Sequence, residues 1–156
     1  MSRILGVDPG LEGAVAVVEE GILLDAWDLP HVDGTLDAGA LHAAISALEL
    51  DPVFDIVVVE RVSAFPGNGS MGNFKLGFSA GTIAGVVGSL GLPLDRTSPS
   101  NWKRRMSLTG KTKDAARLLV RDLYPTMTHL FELKKDVGRA DATLIALDYY
   151  RQNRAG

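Results

Sequence analysis

Arg3–Gly10 reads RILGVDPG and Ile56–Glu60 reads IVVVE. Each is an apolar run that ends in a carboxylate, Asp8 in the first and Glu60 in the second. Runs of this kind are expected as buried strands. A lone aspartate at a strand end is ordinarily a turn or cap residue. Two strands that end alike ask for another reading. Laid side by side and parallel, they would deliver both carboxylates to one edge of a sheet, which is where open α/β sheets place their ligands.

The rest of the chain supplies such a sheet. Ala14 to Val18 and Ile22 to Trp27 read as strands, joined through the Pro9–Gly13 connection and the turn at Gly21. Leu36 to Leu50 has helical spacing, with Leu41, Ile45 and Leu48 on one face, and Asp51-Pro52 is expected to close it. After the strand at Ile56 to Val59 comes a glycine-rich loop, RVSAFPGNGSMGN, from Arg61 to Asn73. A helix over Phe74 to Leu90, a strand over Leu94 to Thr97, and helices over Pro99 to Met106 and Thr112 to Tyr124 follow. A last helix opens at Gly138 or Arg139 and runs to about Gln152. This order predicts an α/β fold with a five-stranded mixed sheet flanked by helices. At 156 residues, a single domain over 1–156 is expected.

Composition narrows the chemistry. There is no cysteine, which excludes disulfides, thiolate metal sites and a cysteine nucleophile. No apolar run is long enough to span a bilayer and no signal peptide is visible, so a cytoplasmic location is expected, with an organelle stroma or matrix second. The net charge of -3 conceals an asymmetry. Residues 1–60 carry twelve acids and one base, whereas residues 61–156 carry seven acids and fifteen bases. Half of all the bases fall between Arg96 and Arg121, where Asp114 is the only acid. Such a block can give an acidic protein a positive face for nucleic acid, or simply form solvated helix surfaces.

A third carboxylate, Asp141, stands near the start of the apolar stretch DATLIALDYY, and Asp136 precedes it in KKDVGRAD. Carboxylates gathered within a few ångströms repel, and some must bind protons unless a cation intervenes. Hard oxygen donors without His or Cys suit Mg²⁺ or Mn²⁺. Two such ions about 3.5–4 Å apart stabilise both the attacking and the leaving oxygen in phosphodiester cleavage.

ILGVDPG, IVVVE, the loop leading into FKLGFSAGTIAGVV, and GRADATLIA together resemble the RuvC-type Holliday-junction resolvases of the RNase H-like superfamily. The likeness is to the bacteriophage and chloroplast branch, and it covers nearly the whole chain in order. It implies an RNase H-like fold and a homodimer that nicks a four-way DNA junction symmetrically, one active site per strand. It also implies two Mg²⁺ or Mn²⁺ ions per site held by four acidic residues, and 5′-phosphate and 3′-hydroxyl products. Asp8, Glu60 and Asp141 match the first, second and last of the acids. Relatives carry another acid three or four residues before the last one, where this chain has Gly138 and Val137. Asp136 is therefore the expected fourth ligand, with a helix cap or a pair with Lys134 as the other reading. Lys113 sits where relatives place a lysine near the scissile phosphate, and Arg139 in GRAD matches as well.

The basic block then has a use. Lys103, Arg104, Arg105, Lys111 and Lys113 are expected to meet phosphates without reading bases. Phe65 is the first choice for an aromatic that stacks on an opened base, with Phe74 second but more at home in the core. Asn73 and Lys75 join the expected DNA contacts. Trp102 matches a family tryptophan but reads as core packing. His31, His42 and His129 lie outside every motif. Three other readings remain at this stage. GVDPGLEGAVAV also resembles the phosphate loop of actin-like ATPases, which need two domains to enclose a nucleotide; no nucleotide cofactor is expected in a chain of this length. A nuclease for other branched DNA or structured RNA, and a non-catalytic junction-binding module, are the others.

Overall fold

The computed structural model describes residues 2–48 and 54–154. Strands β1 (Arg3–Asp8), β2 (Ala14–Glu19) and β3 (Ile22–Asp28) form an antiparallel meander. A small ribbon of β4 (His31–Val32) and β5 (Thr35–Leu36) follows, too short to leave a periodic signal in the sequence. Helix α1 (Ala38–Leu48) leads to β6 (Ile56–Glu60), α2 (Gly69–Ser89) and β7 (Leu94–Thr97). Helices α3 (Pro99–Arg105), α4 (Asp114–Leu123) and α5 (Val137–Asn153) complete the chain. The expected close of α1 at Asp51-Pro52 lies outside the described residues.

The five long strands form one mixed sheet in the order β3-β2-β1-β6-β7. β1 and β6 are neighbours and parallel, with Val7 opposite Val59. Asp8 and Glu60, one residue further on, therefore leave the sheet at the same edge.

Alternation along the strands sends side chains to two cores. Ile4, Ala16 and Val58 face α3, α4 and α5 and pack with Trp102, Phe131 and Leu144. Leu5, Val17 and Val57 face α1 and α2 and pack with Leu41, Ile45 and Ile83. A sheet covered on both faces explains why β1 and β6 read as continuous apolar runs.

Gly6 decides how close α5 comes to β1. A Cβ on Gly6 would lie 2.1 Å from the Ala142 carbonyl oxygen and 2.9 Å from Ala146 Cβ. The helix backbone thus rests directly on the strand. That contact brings Asp141, one residue before Ala142, to the end of β1.

Several boundaries differ from the sequence reading: α1 begins at Ala38, Leu36 belonging to β5, and α5 begins at Val137. Helix α2 begins at Gly69 rather than Phe74, so the supposed glycine-rich loop is half helical; a 3₁₀ turn at Pro66–Asn68 leads straight into it. Its glycines at 77, 81 and 85 meet nothing within 4 Å, while Ile83, Val86 and Val87 anchor the opposite side in the core. Packing of that one face outweighs glycine's poor helix propensity. Helix α4 starts at Asp114, two residues later than expected.

Candidate active site

Asp8 ends β1, Glu60 ends β6 and Asp141 lies in the first turns of α5. Asp8 and Asp141 line a cleft of about 470 Å³ together with Lys103, Lys111, Lys113 and Lys134. Burial pushes the Asp8 carboxyl up to about 6 from its ordinary 3.8, with Glu60 adding to the rise and the Gly10 backbone N–H opposing it. Asp141 is pushed up to about 7, first by burial and then by the negative charges of Asp8 and Glu60. Glu60 is raised chiefly by burial. The three carboxylates feel one another in a poorly solvated place, and Lys103 opposes the rise in all three.

The two strand-end acids are each held by a hydrogen bond. Asp8 Oδ1 accepts a hydrogen bond from Gly10 N at 3.0 Å across the Pro9 turn. Glu60 Oε2 accepts from Trp102 Nε1 at 2.7 Å. Trp102 is fully buried, as its reading as core requires, yet its indole N–H is also the hand that orients Glu60. A buried indole N–H ordinarily finds a partner. Here the partner is a functional-site candidate, and a tryptophan followed by three cations gave no sign of it. Lys103, the next residue, stands 5.4 Å from the Trp102 ring centroid and keeps its charge beside the acids.

In kind, this donor set fits a divalent cation: oxygen only, desolvated and mutually repelling. In arrangement it is open. Among the described residues no three His, Asp or Glu side chains close into a ready ligand cage.

The structure does not bring Asp136 into this group. Its Oδ2 accepts from Leu133 N at 2.8 Å and its Oδ1 lies 3.9 Å from Arg139 Nη1, with the side chain buried beside the 3₁₀ turn that opens α5. It caps the chain there and does not line the cleft. A cation or acid at the equivalent of position 138 finds no room either. A Cβ on Gly138 would lie 2.1 Å from the Glu12 carbonyl oxygen, because the β1–β2 turn packs against the first turn of α5. Glu12 itself lines the cleft, and so does Lys134, a residue the sequence offers only as a partner for Asp136.

The expected DNA contacts divide into two groups. Lys103, Lys111 and Lys113 line the cleft, and Arg104 is exposed on α3. Arg105 is instead bidentate to the buried Asp148, at 2.8 and 2.6 Å, which cancels its charge. Arg139 pairs with Asp28 at 2.9 Å and donates to Leu130 O, tying α5 to β3 rather than touching Asp141. Asn73 is occupied as well: its Oδ1 accepts from Phe65 N and its Nδ2 donates to Phe65 O, each at 3.2 Å. This clamp presents the Phe65 ring, which is half exposed, on the loop that leaves Glu60. Phe74 is 69% exposed, not core, and Lys75 shares a hollow with it and Phe78 on the outer face of α2. The earlier start of α2 turns Phe74 outward.

No protein-family model matches the chain. It is 35% identical over 124 residues, 76% of its length, to the chloroplastic Holliday junction resolvase MOC1 of Chlamydomonas reinhardtii. It spans 14% of that relative's length. Its backbone matches Thermus thermophilus RuvC, solved with a Holliday junction substrate, with a TM-score of 0.70 at 22% identity, covering 100% of this chain and 97% of the other. The chain belongs to the RuvC-type family of the RNase H-like superfamily. The backbone also matches the yeast mitochondrial Holliday junction resolvase Ydc2, with a TM-score of 0.61 at 16% identity, covering 96% of this chain and 79% of that one. The algal relative agrees with the expected chloroplast branch of the RuvC type.

Proposed function

We propose that this chain is a metal-dependent endonuclease that resolves four-way DNA junctions by paired, symmetric nicks. One observation carries the reading: three desolvated carboxylates, on two adjacent parallel strands and one helix, lie close enough to raise one another's pKa, and two of them line a cleft rimmed by four lysines. The names of the algal and yeast relatives support the choice of a junction as substrate.

Asp8, Glu60 and Asp141 are the residues that would hold Mg²⁺ or Mn²⁺. Two such ions supply Lewis acidity to the scissile phosphate and a nucleophile from water at neutral pH. The chain's own part is binding and orientation. Lys103, Lys111, Lys113 and Lys134 draw the phosphodiester in, and Lys113 lies where it can offset charge as the phosphorus is attacked. Trp102 fixes the rotamer of Glu60. Asn73 holds Phe65 out to stack on a base opened at the crossover, a contact worth roughly 1–3 kcal/mol. The expected ends are 5′-phosphate and 3′-hydroxyl.

A second copy belongs to the same proposal, since paired nicks need two sites. The exposed Met71, Phe74 and Phe78 on α2 support a self-association face. Among the described residues no helix is long and apolar enough to cross a membrane. A cytoplasmic location, with an organelle second, completes the proposal.

The test is direct. Labelled four-way junction, Y-fork, duplex and RNA–DNA hybrid are incubated with the protein, with and without Mg²⁺. Symmetric nicks confined to the junction and dependent on the ion support the reading. Cleavage of the hybrid or fork alone reassigns the substrate, and binding without cleavage makes the chain a junction-binding module.

A further inference from the structure

We infer that Arg61 and Arg96 form a second phosphate-binding site, one that grips the DNA strand as it leaves the carboxylates. The inference rests on the nuclease reading for its ligand class, nucleic-acid phosphodiester, but its geometry is independent of the metal site.

Arg61 follows Glu60 at the end of β6, and its backbone N donates to Thr97 O at 2.7 Å. Arg96 lies opposite Val59 on β7, the edge strand. The two arginines therefore stand at the same corner of the sheet. They form the shared wall of two hollows. One, of about 180 Å³, is also lined by Glu60. The other, of about 340 Å³, is rimmed by Ser98, Asn101 and Gln152. The two guanidinium groups therefore stand on the Glu60 side of the carboxylate group.

Both arginines are exposed, and among the described residues neither side chain has a hydrogen bond or an ion pair. Two acids also line the larger hollow, and only Asp148 has its charge matched by an ion pair. Asp148 is bound by Arg105, and Asp95 accepts from the backbone N of Arg96. Two unpaired guanidinium forks beside the hydroxyl of Ser98 and the amide of Asn101 match the donor needs of a phosphate.

Helix α3 explains why this site and the cleft act on one strand. Trp102 and Lys103 turn toward the carboxylates, whereas Asn101 and Arg105 turn toward the arginine hollow. On α5, Asp141 borders the cleft and Asp148 the hollow. Seven residues of helix separate them by about 10 Å. The arginine hollow thus lies at the far end of the α5 segment whose near end borders the carboxylates.

The test uses the full chain carrying Arg61→Ala and Arg96→Ala together, with Arg61→Lys and Arg96→Lys as the charge-keeping control. Junction binding is followed by fluorescence anisotropy across a salt series in Ca²⁺, and phosphate ethylation interference maps the contacts. The slope of log K against log salt is expected to flatten by about 1.8, or 0.9 for each of two lost contacts. Interference at phosphates flanking the cut should diminish while that at the cut persists, and the lysine variant should keep most of the slope. An unchanged slope and unchanged interference in the alanine variant overturn the site. If the wild-type protein binds DNA without cutting it, the nuclease reading fails but the slope still decides this inference. If it binds no DNA, both fall.

Discussion

Asp141→Asn should make the protein inactive and, without metal, more stable. The native carboxyl is pushed to about 7 against an ordinary 3.8. A carboxyl raised on folding binds more protons in the native state than in the unfolded one. Its full stability is therefore present at low pH and is lost as pH climbs from about 4 to about 7. Each pKa unit is worth about 1.4 kcal/mol, so an ionised Asp141 costs the metal-free fold about 2–4 kcal/mol at pH 8. Asparagine keeps the shape and removes the charge. At about 2–4 °C per kcal/mol for a domain of this size, the melting temperature in EDTA at pH 8 should rise by roughly 5–10 °C. The gap should close as pH falls toward 4. Mg²⁺ should raise the melting temperature of the wild type and do little for the variant. The assay is differential scanning fluorimetry over pH 4–8, with EDTA or Mg²⁺, beside junction cleavage. A variant that melts at or below the wild type in EDTA at pH 8, or a gap indifferent to pH, would refute the electrostatic account of the site.

Arg105→Ala strands the buried Asp148 carboxylate and should cost about 3–5 kcal/mol by chemical denaturation, with the salt dependence of junction binding unchanged. Asp136→Asn should lower stability by about 0.5–2 kcal/mol, the scale of a lost cap, and leave the Mg²⁺ concentration for half-maximal cleavage where it was; a large rise in that concentration would return Asp136 to the metal site. Trp102→Phe removes the hydrogen bond that lowers the Glu60 pKa, so the acid limb of the cleavage-rate profile should move to higher pH. Asn73→Ala releases Phe65 and should slow junction cleavage more than it weakens junction binding, as measured by single-turnover kinetics beside anisotropy.

The sheet could be read from the sequence because burial on both faces leaves unbroken apolar runs, and the two strand-end acids stand out against them. The parallel pairing of β1 with β6, only a condition in the sequence, is what the sheet adopts. Asp141 was findable because it opens an apolar helix. What escaped reading is tertiary in origin. Nothing local tells that Trp102 reaches across to Glu60, or that Arg105 and Arg139 are bound by Asp148 and Asp28 rather than held out to solvent. Positive charge along a sequence does not say which guanidinium groups are already neutralised. The helix start at Gly69 escaped because glycine signals turns locally, while Ile83, Val86 and Val87 decide the matter from the far end of α2.

The contact between Gly138 and the Glu12 carbonyl has a consequence for how such a site can change over generations. An acidic side chain at position 138 would start where the Glu12 carbonyl oxygen stands, so a single substitution there drives a Cβ into backbone. Backbone cannot swing aside as a side chain can. A lineage that gains a donor at this position must first shift the turn between β1 and β2, and a lineage that has closed the turn cannot simply revert. The sequence of mutational steps is thus constrained by one van der Waals contact, and an acid at 138 and a tight turn at Glu12 are mutually exclusive states of the same scaffold.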